Sequence, residues 1–290
     1  MNEYAIITDS ACDLPAQLVD ELDISVVPLT LTVDGKSYKN YPDGREIGFH
    51  EFYEMLRAGA KASTSAANID AFIELFEQFA ADGKDVLYLG FSPALSGTFN
   101  AAKIAAEDVS ERYPDHKFYT VDTLCASLGQ GLMVYYAAKE REKGRSIDEV
   151  RDYVEQNKLH LCHLFTVSDL HFLHRGGRVS KTTAVIGGAL GMKPLMHTDN
   201  YGRLEKTGVI RGRKQSIIAL ADRMKQVITD PEGQTVFICQ GDCKEDADFL
   251  ADAIRERLPV GEIMINYTGP VIGAHSGPGT LAVFFMGTER

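Results

Sequence analysis

"SPALSGTFNAAKIAAEDV", residues 92–109, sets small hydroxyl residues and one glycine where an apolar run, "DVLYLGF", turns into a helical pattern, with no lysine at the turn itself. A helix starting near Ser96 leaves several backbone N–H groups unpaired, and its peptide dipoles place about half a positive charge there. The chemistry open to such a stretch is anion binding, with a carboxylate or phosphate held by the Ser96 hydroxyl and the Gly97 N–H. Gly97 lets an outside group come close to the backbone. The plainer reading is that Ser96 only caps its own helix. A Walker-type phosphate loop is excluded, because GxxxxGK(S/T) does not occur.

Three further groups could join that chemistry. "KASTSAAN", residues 61–68, carries Thr64 in a second hydroxyl cluster just before the helical run "IDAFIELFEQF". Two such helix starts would converge at the carboxyl edge of a parallel sheet, where "ITDSACD" also sets Asp9 and Ser10. His275 lies in "GPVIGAHSGPGTLAVFF", residues 269–285, read as a glycine- and proline-rich loop between strands. It can donate to an anion, act as a base, or be an ordinary loop histidine. "HRGGRVSK" (174–181) holds Arg175, Arg178 and Lys181, and "VIRGRK" (209–214) adds Arg211 and Arg213. These are either contacts for phosphate or an acidic partner, or solvated loops. "HLCHLFTVSDLHFLH" has the residue types of a metal site. Its spacing matches no zinc pattern, and its histidines fall on a strand-like and then a helix-like segment, so no metal is expected.

The elements that position these groups follow from periodicity. Strand-like "YAIITD", "SVVPLTLTV", "VLYLGF" and "KFYTVD" alternate with helical runs, which argues for a mostly parallel sheet covered on both faces. "SIDEVRDYVEQNKL" opens with a capping box, Ser146 with Glu149. Beyond it come a glycine-rich stretch (187–191), a "DNYGR" hairpin turn, a long helix near 214–228 and strands with fewer helices between them. The expected fold is α/β, with an N-terminal α/β domain over residues 1–163 and a C-terminal α+β domain over 164–290. A net charge of −11 argues against nucleic acid as a partner. No signal pattern opens the chain, no apolar run is long enough to span a bilayer, and the five cysteines are scattered without a CxxC pair. A cytoplasmic location is therefore expected.

Taken together, "IITDSACDLP", "VVPLTLTVDGKSY", "STS", "SPALSGTFNAA", "RGGRVSK", "GMKPLM" and "GPVIGAHSGPGTLAV" resemble, in order and spacing along the whole chain, the DegV family of fatty-acid-binding subunits of bacterial fatty acid kinase. The resemblance implies a two-domain protein with a long-chain fatty acid buried between its domains as ligand, and no cofactor. It implies that Thr64, Ser96 and His275, with the Gly97 N–H, hold the carboxylate. It further implies that the chain does no chemistry alone: a separate ATP-dependent kinase subunit phosphorylates the bound acid to an acyl phosphate. Arg211 corresponds by position to an arginine that docks that subunit, with Arg175 and Arg178 beside it, and transient membrane contact is left open. The chain departs from the family in "TSAA" where Thr-Ser-Gln-Pro is common, in Phe99 for a frequent Tyr, and in Ser276 for Thr.

The physics suits a lipid. Burying about fifteen methylenes gains about 12 kcal/mol gross, and the attached carboxylate must then find donors to replace water. The glycine- and alanine-containing run 184–192 is the candidate tunnel wall. Two other readings stay open: a serine hydrolase using Ser96 and His275, and a binding protein for another anionic metabolite. Against the hydrolase, no GxSxG elbow occurs and no acid is placed to orient His275.

Overall fold

The computed structural model describes residues 3–184 and 191–290. β1 (Tyr4–Asp9) is buried from its second residue onward, as a central parallel strand covered on both faces must be. Its end turns through a short 3-10 helix, Ser10–Cys12, where the Asp9 carboxylate accepts the Ala11 N–H. α1 (Ala16–Glu21) carries the chain back to β2 (Ile24–Val27), parallel to β1. The run read as the single strand "SVVPLTLTV" breaks at Pro28, which has no N–H for a ladder. Its second half, β3 (Thr30–Val33), leaves the parallel sheet and pairs antiparallel with β4 (Lys36–Lys39).

After α2 (Phe49–Arg57), β5 (Ala62–Ser65) pairs with the other edge of β3. "STS" is therefore a strand, not the start of a helix. The cap of α3 (Ile69–Ala81) is Asn68, whose side chain accepts the Ala71 N–H. β6 (Asp85–Gly90), α4 (Thr98–Arg112) and β7 (Phe118–Asp122) complete a parallel sheet of order β2-β1-β6-β7. The strand order reverses between β1 and β6, so their carboxyl ends frame the usual ligand crevice of such sheets.

α5 (Leu128–Glu142) buries Leu128, Leu132, Met133, Val134, Ala137 and Ala138, which is what a helix covered by sheets on several sides requires. α6 (Ile147–Asn157) opens with the expected capping box. β8 (Leu161–Thr166), α7 (His171–Arg175) and α8 (Lys181–Ala184) follow. β9 (Met192–Thr198) and β10 (Leu204–Arg211) form the expected hairpin, its turn closed by Asp199 accepting the N–H groups of Tyr201 and Arg203. The rest of the chain is α9 (Arg213–Val227), β11 (Val236–Gln240), α10 (Lys244–Arg255), β12 (Ile263–Tyr267), α11 (Pro270–Ser276) and β13 (Leu281–Met286). The six later strands form one mixed sheet, β10-β9-β8-β13-β11-β12, in which only β11 and β12 run parallel. His275, read as a loop residue, sits on α11, which Pro270 opens at a position where its missing N–H costs nothing.

The core runs without a break from β1 and β6 through α5 to β8, β11 and β13. α11 packs back against β3, β5 and α2, far earlier in the chain. Residues 185–190, most of the run named as a tunnel wall, lie outside the described residues. Among the described residues, no helix is long and apolar enough to cross a membrane.

Candidate ligand site

The carboxyl end of β6, the strand β5 and the helix α11 meet around one cavity. Its walls include Leu29, Phe91, Leu95, Phe165, Val271 and Ile272. About 170 Å³ of room remains inside, well beyond what one water needs. The exposed residues Ser65, Ala66 and Gly97 form its outer rim. Thr64, Ser96, Gly97 and His275 all line it, so four residues drawn from three separate segments converge there.

Thr64 Oγ1 lies 2.7 Å from His275 Nε2, a contact between residues 211 positions apart. The other ring nitrogen, Nδ1, is buried without a hydrogen-bond partner among the described residues. Burial, and after it the Arg178 guanidinium, push the His275 pKa down to about 4. The imidazole is therefore neutral at pH 7 and acts as a hydrogen-bonding group rather than a cation. Gly176 closes over this ring so tightly that a Cβ there would come 2.3 Å from Nδ1.

Ser96 is not the cap of α4 that the plainer reading made it, but stands one residue before the N-cap Gly97. Its Oγ accepts the Thr98 N–H at 3.3 Å and lies 3.0 Å from Thr98 Oγ1. It also lines the cavity, so a bond to the first turn of α4 does not take it away from a ligand. Gly97, the N-cap of α4, has no side-chain cap partner and nothing within 4 Å of where its Cβ would stand. The helix end is thus open to an anion from the cavity side.

Arg178 joins them. The sequence placed it beside the docking candidates, whereas the fold puts it in the cavity wall, half-buried. Its Nε donates to the Leu95 carbonyl at 3.0 Å and its Nη1 to the Gly176 carbonyl. Among the described residues it has no acidic partner, so a guanidinium charge faces the site uncompensated. Arg175 and Arg211 do not line the cavity. Arg175 is exposed with its guanidinium 4.7 Å from the Phe172 ring centre, and Arg211 is exposed at the end of β10.

The hydrolase geometry is not formed. His275 Nε2 is taken by Thr64, Ser96 Oγ by Thr98, and no carboxylate orients Nδ1. The histidines of "HLCHLFTVSDLHFLH" scatter as their strand and helix positions require: His160 Nδ1 lies near the Gly287 carbonyl, His163 is buried, and His174 Nδ1 faces the Val179 carbonyl. Among the described residues, three potential metal ligands come together only at His50, Glu54 and Asp242, where Arg57 already pairs with both carboxylates.

Sequence reasoning missed the inner wall of the cavity: Ser127 ahead of α5, His163 on β8, Cys239 on β11 and Thr268 after β12. The two-residue alternation that turns His163 and Phe165 to one face was readable in "CHLF". That this face meets a ligand was not.

Comparison with known proteins fits this geometry. Residues 3–288 match the family described as "Uncharacterised protein, DegV family COG1307". A DegV domain-containing protein of Clostridium perfringens is 47% identical over 290 residues, covering 100% of this chain and 99% of its own length. Among solved structures, a DegV lipid binding protein from Thermotoga maritima superposes with a TM-score of 0.88 at 28% identity, covering 99% of each chain. A DegV family protein from Thermus thermophilus, reported for its fatty acid binding, gives 0.86 at 29% identity over 98% of this chain and 99% of that one. From its first strand to its last, this chain belongs to the DegV family.

Proposed function

We propose that this protein binds a long-chain fatty acid, with the acyl chain in the apolar cavity and the carboxylate at Thr64, Ser96, Gly97 and His275. The observation that carries the reading is the Thr64–His275 pair lining the same cavity as the open start of α4, with Leu29, Phe91, Leu95, Phe165, Val271 and Ile272 in its walls. The solved relatives named for lipid and fatty acid binding support it. The Thr64 and Ser96 hydroxyls and a backbone N–H at a positive helix end supply the donors that a desolvated carboxylate needs, with the neutral His275 ring holding the Thr64 hydroxyl in place. In this reading the acid lies between an N-terminal unit, residues 1–163, and a C-terminal one, 164–290.

The protein itself does no chemistry in this proposal. A separate ATP-dependent kinase subunit phosphorylates the presented carboxylate to an acyl phosphate, with Arg211 and Arg175 on the surface it meets. Arg178, without an acidic partner among the described residues, would meet the added phosphate charge.

Denaturing mass spectrometry of an organic extract from freshly purified protein is the direct test. One fatty acid per chain is expected, and Ser96→Ala combined with His275→Ala should lose it. An empty extract together with no binding of added oleate or palmitate would overturn the lipid reading. Arg211→Glu should weaken acyl phosphate formation by the kinase subunit at least tenfold while lipid retention stays whole; unchanged phosphorylation would remove the docking role.

A further inference from the structure

α11 carries His275, yet little in its own sequence fixes where it lies. It has seven residues, no side-chain cap and a glycine in its middle. A helix that short is not stable by itself in water. Its position comes from what it packs against, namely α7, α2, β3 and β5. That position matters for the site. Thr64 belongs to the first half of the chain and His275 to the second, and their 2.7 Å contact needs the two in register.

Tyr53, on α2, ties them together. Its side chain is fully buried, and its hydroxyl donates to the Thr268 carbonyl at 2.7 Å, across 215 positions of chain. Thr268 stands two residues ahead of Pro270, where α11 begins, and gives its own N–H to the Gln240 carbonyl on β11. Thr268 is thus held from the C-terminal sheet through its nitrogen and from α2 through its oxygen. A buried hydroxyl without an acceptor is costly, so this bond fixes a spacing. Further along α11, Gly273 rests on the same ring: a Cβ there would come 2.5 Å from the Tyr53 hydroxyl and 2.9 Å from the Phe52 ring. Ala274, next to His275, is buried in one cluster with Leu31, Phe52 and Tyr53. Leu31 is in turn the β3 partner of Thr64. One cluster therefore seats both sides of the Thr64–His275 contact.

We propose that Tyr53 is a positioning residue for carboxylate binding, whose hydroxyl and ring seat α11 so that His275 meets Thr64. The proposal rests on the fatty acid reading above and extends it to a residue that does not line the cavity. The net worth of one such hydrogen bond corresponds to about a fivefold change in affinity.

The test is titration of the delipidated full chain with a fluorescent fatty acid, using the wild type, Tyr53→Phe, His275→Ala and the double variant. Tyr53→Phe should weaken binding about fivefold in the wild-type background. In the His275→Ala background it should change nothing, because the tyrosine acts through the ring. Equal weakening in both backgrounds would make Tyr53 an ordinary core residue and overturn the proposal. Wild-type affinity in Tyr53→Phe would overturn it as well. Should Tyr53→Phe fail to fold, Gly273→Ala presses on the same hydroxyl from α11 and is read in the same two backgrounds, with the same outcomes. A wild type that binds no fatty acid would instead overturn the fatty acid reading itself.

Discussion

His275 is held neutral by its surroundings, and the surroundings are close enough to be tested by a single methyl. Gly176 has ordinary helical angles, φ −72° and ψ −10°, so alanine would cost nothing in backbone strain there. The cost would come from the ring, since the new Cβ would stand 2.3 Å from Nδ1. Gly176→Ala should therefore push the imidazole away from Thr64 and weaken carboxylate binding at least tenfold. The associated overpacking should lower stability by about 1–3 kcal/mol. Titration with a fluorescent fatty acid checks this, and unchanged affinity would mean that the ring position does not matter for the ligand. The residue types here were legible in the sequence. Serine, threonine, glycine and histidine in those contexts suit an anion, but the contact between Thr64 and His275 spans most of the chain and has no local signature.

At the scale of elements, α5 shows two effects in competition. A glycine inside a helix costs about 1 kcal/mol relative to alanine, so Gly129→Ala would stabilise an isolated helix. In the protein, a Cβ at Gly129 would come 2.0 Å from His163 Nε2, on a ring that is fully enclosed. The clash outweighs propensity, and Gly129→Ala should destabilise by about 1–3 kcal/mol in urea or thermal unfolding. A more stable variant would show that the strand β8 can give way. Most elements were readable from periodicity and caps, the capping box of α6 among them. Where the reading failed, local pattern and tertiary pairing disagreed. "STS" became β5 because β3 offered it an edge, and "GPVIGAH" became α11 because Pro270 could start a helix that packs against that same small sheet.

At the scale of the whole molecule, Asp13 ties the two large sheets together. It follows β1, accepts from Ser127 ahead of α5, and receives the Asn266 side chain of β12 on its carbonyl at 2.8 Å. Gly269, which opens α11, lies against its carboxyl. Burial pushes the Asp13 pKa up to about 8. A carboxyl whose folded pKa is raised contributes stability that is complete below its unfolded value of 3.8 and is lost as pH rises through about 8. Asp13→Asn keeps a neutral polar group and tolerates the left-handed backbone, φ 54°, found there. The melting temperature of the asparagine variant should therefore gain on the wild type steadily from about pH 5 to about pH 8. A gap that stays constant with pH would show that Asp13 does not titrate in this range.

What the sequence determined by itself was what short-range physics can set: alternation of strands and helices, caps, turns, and a helix start shaped for an anion at Ser96 and Gly97. These depend on neighbours within a turn or two of chain. Only the tertiary structure decided that Thr64, Ser96 and His275 share one cavity and that Arg178 stands in its wall. Those facts follow from which sheet edges pair and which faces are buried together, and long-range packing, not local propensity, makes that choice.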